Sequence, residues 1–68
     1  MMKTSKDIGS EIKTIRKESG LSQIEFANEI GISQPHLSRV ENGFESVSKP
    51  VQKLIQLRFG SINGGDKQ

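Results

Sequence analysis

The sequence predicts an all-α domain of four to five short helices, and three observations carry that expectation. Apolar residues recur at helical spacing in four separate stretches, and a Ser or Thr able to cap a helix stands before each of them. Each stretch also ends at Gly or Asn-Gly, the residues that most readily adopt the turn conformations that stop a helix. The third observation is size: 68 residues, 31% hydrophobic and 4% aromatic, describe one domain with a thin core. A chain this short buries only about 60% of its unfolded surface, so packing a few helices is the economical solution. The chain has no Cys and a single His. That excludes a disulfide framework and a Cys-type zinc site, so no metal and no cofactor is expected.

The first helix is expected over residues 6–19, where Ile8, Ile12 and Ile15 fall at i, i+4 and i+7. Thr4 or Ser5 caps its start, Asp7 and Glu11 lie near its positive end, and Gly20 supplies the left-handed stop. The second is expected over 23–30. Ser22 with Glu25 three residues on forms a capping box, Leu21 and Phe26 form a hydrophobic staple, and Ala27 and Ile30 share the face of Phe26 until Gly31.

The pattern repeats at once in Ile32-Ser33-Gln34-Pro35-His36-Leu37, predicting a third helix over 34–42. Ser33 caps it, Pro35 fits a first turn where its missing N–H is not needed, and Ile32 staples to Leu37. Leu37 and Val40 form the inward stripe, and Asn42-Gly43 closes the helix. Only Gly31, Ile32 and Ser33 separate the second and third helices, so the two must turn sharply into a tight bihelical unit. Val51, Leu54, Ile55 and Phe59 predict a fourth helix over 49–59, with Pro50 in its first turn. Residues 1–60 thus form one domain, and residues 61–68, with Gly64-Gly65, are expected as a flexible tail.

The stretch from Ile8 to Gly43 resembles the helix-turn-helix domain of the Cro and C1-type phage repressors, the XRE family. The matching residues are Arg16, Gly20-Leu21-Ser22-Gln23, Glu25, Ala27, Gly31-Ile32-Ser33, Leu37-Ser38 and Val40-Glu41-Asn42-Gly43. The resemblance implies a compact repressor-type helix-turn-helix fold of four to five helices that binds double-stranded DNA. In the family the third helix enters the major groove and the second lies across the backbone.

With Leu37 and Val40 inward, helical geometry turns Gln34, Pro35, Ser38 and Arg39 outward, with His36 at the border. These five are the candidate base contacts. Gln34 suits adenine, Arg39 suits guanine, Ser38 suits either kind of base edge, and Pro35 offers only packing against a thymine methyl. His36 either meets the DNA or covers the edge of the core. The candidate phosphate contacts are Gln23 and Ser33 at helix starts, Asn42 in the closing turn, Lys49 at the start of the fourth helix, and Arg16. The resemblance also implies that Arg16 pairs with Glu41 to orient the third helix. Phe44 and Glu45 depart from the family's pattern, and a carboxylate there opposes phosphate, leaving backbone N–H groups, Ser46 or Ser48 for that role.

The net charge of +2 permits an anionic partner without demanding one. No apolar stretch approaches the roughly 20 residues needed to cross a bilayer and no signal peptide is apparent, so a cytoplasmic protein without membrane contact is expected. Enzyme chemistry finds no inventory: His36 has no neighbouring nucleophile or second ligand, and the glycines make no phosphate-binding loop. No small-molecule substrate is expected. The leading functional reading is a short Cro-like phage or prophage repressor on a palindromic operator. An antitoxin or a restriction-modification controller protein on the same fold is the alternative. One recognition helix makes too few contacts for a tight site, so a homodimer is expected, formed in the free protein or only on DNA. Phe44, Val47, Leu57, Phe59 and Ile62 are the apolar residues left over, either to finish the monomer core or to make the dimer contact.

Overall fold

The computed structural model describes residues 4–60, which form four helices: α1 Ser5–Ser19, α2 Gln23–Ile30, α3 Gln34–Glu41 and α4 Lys49–Phe59. The sequence signals at each boundary are physically present. Thr4 caps α1 in a reciprocal box with Asp7, which starts the helix at Ser5. Ser22 and Glu25 form the same box at the start of α2. Ser33 and Ser48 cap α3 and α4 by accepting from the backbone N–H of His36 and Val51. The last helical residue of α3 is Glu41, because Asn42 already leaves helical geometry and serves as the C-cap.

The turn between α2 and α3 depends on Gly31. Its φ of 79° is left-handed, a region that costs a residue with a Cβ about 1–2 kcal/mol. The following N–H of Ile32 bonds back to the Ala27 carbonyl, completing the stop.

The core is built from every helix. Ile12, Phe26, Ile30, Leu37, Val40 and Ile55 are fully buried, each stabilising the fold by about 1.5–3 kcal/mol relative to exposure. Ala27 is buried as well, and Ile8, Ile15, Leu21, Ile32, Val51 and Leu54 pack around the cluster. Helix α3 packs on both α1 and α2, while α4 lies against α2.

Gly9 in α1 lets α3 approach closely. A Cβ there would lie 1.9 Å from the Val40 carbonyl oxygen, backbone that has no rotamer to escape into. At the N-terminal end of α1, Lys6 lies against Gly43, and the Ser5 hydroxyl hydrogen-bonds that of Ser46. The loop between α3 and α4 is thereby tied to α1.

Two of the candidates for the dimer contact pack in this core. Val47 is 6% exposed, and the Phe59 ring lies 4.7 Å from that of Phe26, tilted by 35°. The reason is the thinness of the core: in so small a domain the loop and the last helical turn must supply large side chains to close it. Ile62 and the expected tail lie outside the described residues.

Candidate nucleic-acid interface

The outward face of α3 follows from its inward one. Leu37 and Val40 are anchored in the core, so the 100° step per residue carries Gln34, Pro35, Ser38 and Arg39 to the other side. Pro35 and Arg39 are exposed, and Gln34, His36 and Ser38 are half-buried.

Behind that face runs a continuous chain of polar contacts. Gln34 Nε2 donates to Gln23 Oε1 at 2.7 Å, and Gln23 Nε2 donates to Glu41 Oε1 at 3.0 Å. Glu41 in turn accepts from Arg16 Nε at 2.7 Å and Arg16 Nη2 at 3.1 Å, while Arg16 Nη1 donates to the Leu21 carbonyl at 3.2 Å. Glu41 retains 2% of its side-chain exposure and Arg16 13%. A carboxylate so deeply covered needs a partner, and a bidentate guanidinium is the strongest available. This pair locks the end of α3 to α1. The two glutamines extend the lock to the first residues of α2 and α3, so Gln23 and Gln34 are held side by side.

A second polar cluster sits at the other end of the face. Glu45, in the loop after α3, accepts from Arg39 Nε at 2.8 Å through Oε2 and lies 2.5 Å from His36 Nδ1 through Oε1. With the carboxylate ionised, Nδ1 is the nitrogen that carries the hydrogen. The hydrogen bond from Arg39, and after it that from His36, holds the Glu45 carboxyl below its ordinary range. His36 therefore does more than cover the core edge: its ring is tied to the same carboxylate as Arg39.

The candidate phosphate contacts stand at or near helix ends. Ser33 is exposed and its oxygen caps α3. Asn42 is exposed, with Nδ2 donating to the Ser38 carbonyl at 2.8 Å. Lys49 is exposed at the start of α4. Arg16 is mostly covered, and three of its N–H donors already meet protein oxygens.

Sequence reasoning read Glu45 only as a charge opposing phosphate and missed its partners. Arg39 and His36 lie six and nine residues before it, across a loop with no periodicity, so no local pattern exposes the contact. It also passed over Gly9, whose only signal was a glycine inside a helical pattern, and Ile24, an apolar side chain 60% exposed on α2. Of the expected dimer contacts, Phe44 and Leu57 are exposed, at 79% and 76%.

Two capped helices meeting at a tight glycine turn, the second seated by Leu37 and Val40 with a polar outer face, define a helix-turn-helix domain. Residues 12–57 match the model of the helix-turn-helix family, and the chain belongs to that family in its Cro/C1-type, XRE branch. It is 45% identical over 64 residues to antitoxin PezA of Streptococcus pneumoniae, covering 88% of this chain and 40% of that protein. It is 35% identical over 52 residues to a propionyl-CoA carboxylase regulator of Cereibacter sphaeroides, covering 76% of this chain and 11% of that protein. The chain thus spans less than half the length of these relatives. The family match makes it a helix-turn-helix DNA-binding domain. Among the described residues no helix is long and apolar enough to cross a membrane.

Proposed function

We propose that this chain regulates transcription by binding a palindromic operator as a homodimer, with α3 of each protomer in the major groove. The observation that carries this reading is the division of α3 into a buried stripe, Leu37 and Val40, and an opposite face of Gln34, Ser38 and Arg39. Gln34 and Arg39 are suited to bidentate pairing with adenine and guanine, each worth about 1–3 kcal/mol of discrimination. Gln23, Ser33, Asn42 and Lys49 would meet phosphates, which fix register without reading sequence. Arg16 serves mainly to orient α3 through Glu41, leaving at most two N–H donors for phosphate.

Two biological settings suit this chemistry. A Cro-like phage repressor is the first, on the family match. The 45% identity to an antitoxin favours the second setting, an antitoxin that binds its own promoter and opposes a toxin through a different part of the protein.

Selection of bound duplexes from a random DNA pool tests the DNA-binding reading. A symmetric consensus, with half-sites about one helical turn apart, supports it. Absence of any enriched sequence, or enrichment of one unrepeated half-site, would contradict it.

A further inference from the structure

Glu45 contacts two residues of the outward face of α3 through one carboxylate, Arg39 by its Nε and His36 by its Nδ1. A guanidinium gripped at Nε keeps both terminal nitrogens for another partner, and Arg39 is still 53% exposed on its side chain. Those terminal nitrogens are the fork that grips guanine O6 and N7. Left alone, a long arginine samples many rotamers and must be ordered when it binds.

We propose that Glu45 is a specificity-determining positioning residue, holding Arg39 ready to read one base pair while its negative charge disfavours docking on phosphate alone. The inference rests on the DNA-reading face proposed above. Both effects widen the gap between the right sequence and any other, one by strengthening the correct contact and one by weakening the rest.

The contribution is separable because it acts oppositely on two duplexes. Loss of an ordinary structural residue weakens binding to all DNA. Loss of Glu45 should weaken the selected site while leaving random DNA bound at least as tightly.

The experiment measures Kd at fixed salt for three duplexes: the selected site, that site with the base pair read by Arg39 exchanged, and a random sequence. Wild type, Glu45→Ala, Glu45→Gln, Arg39→Ala and the double variant Glu45→Ala/Arg39→Ala are compared, each checked for an unchanged thermal transition. Glu45→Ala is expected to lose about tenfold in discrimination at that base pair. Glu45→Gln, which keeps an acceptor oxygen at the same reach, should lose less. In the Arg39→Ala background, Glu45→Ala should cost no further discrimination at that base pair, since the group it positions is gone.

Unchanged or improved discrimination in Glu45→Ala overturns the proposal, the latter by showing that the carboxylate sequesters Arg39. Equal losses on all three duplexes, or the same loss without Arg39, also overturn it. A wild-type chain that tells none of the duplexes apart overturns the DNA-reading face itself. That failure is visible before any variant is compared.

Discussion

The Glu45 carboxylate takes its properties from the two side chains it holds. Arg39 first and His36 second stabilise its ionised form, so its folded pKa lies below the ordinary 4.5. A depressed carboxylate contributes stability that is present above its unfolded pKa and is lost as pH falls through the folded value. With 38% of the side chain exposed, solvent screens the effect and the stability term is small. The observable is the titration itself: an NMR titration of the Glu45 side-chain carboxyl should show a midpoint below 4.5. Arg39→Ala should return that midpoint most of the way and His36→Ala less. An ordinary midpoint unaffected by either substitution would mean that the cluster does not persist in solution.

Among the helices, the relation of α3 to α1 and α2 decides how the recognition face is presented. Arg16 and Glu41 bridge 25 residues of sequence within the packed interface. Removing Arg16 leaves a carboxylate with 2% exposure beside only a neutral glutamine, so Arg16→Ala should destabilise by about 3–5 kcal/mol in urea unfolding. A loss below about 1 kcal/mol would place the pair among exposed ones. Gly9→Ala should cost about 1–3 kcal/mol despite the better helix propensity of alanine, because the added methyl meets the Val40 carbonyl. A stabilised Gly9→Ala variant would show that α1 and α3 are farther apart. Much at this scale was legible in the sequence. Caps, staples and stops act over no more than five residues, so Ser22 with Glu25 or Gly31 after Ile30 announce themselves locally. Gly9 against Val40 and Glu45 against Arg39 are tertiary relations, which periodicity does not encode. Val47 and Phe59 could be given to neither core nor interface from the sequence, because apolar type alone does not tell a monomer core from a dimer contact.

For the molecule as a whole, with Val47 buried and Phe59 half-buried against Phe26, Phe44 and Leu57 are the exposed apolar residues of the candidate dimer set among the described residues. Two such side chains offer little apolar area, so pairing is expected mainly on the operator, where the second half-site raises the effective concentration of the partner. Sedimentation with and without a palindromic duplex should show a monomer alone and two chains per site, with Leu57→Glu reducing cooperativity. Undiminished cooperativity in a folded Leu57→Glu variant would move the interface elsewhere. The most direct measurement is the ratio of affinities for the selected site and for random DNA, in wild type and in Gln34→Ala, Arg39→Ala, Gln23→Ala and Lys49→Ala. If the outward face of α3 reads sequence, Gln34→Ala and Arg39→Ala lower that ratio by about 1–3 kcal/mol each. Lys49→Ala instead weakens both duplexes alike, and Gln23→Ala does the same apart from what it loses through its bond to Gln34. A ratio unchanged in Gln34→Ala and Arg39→Ala, or lowered by Lys49→Ala alone, would contradict that assignment.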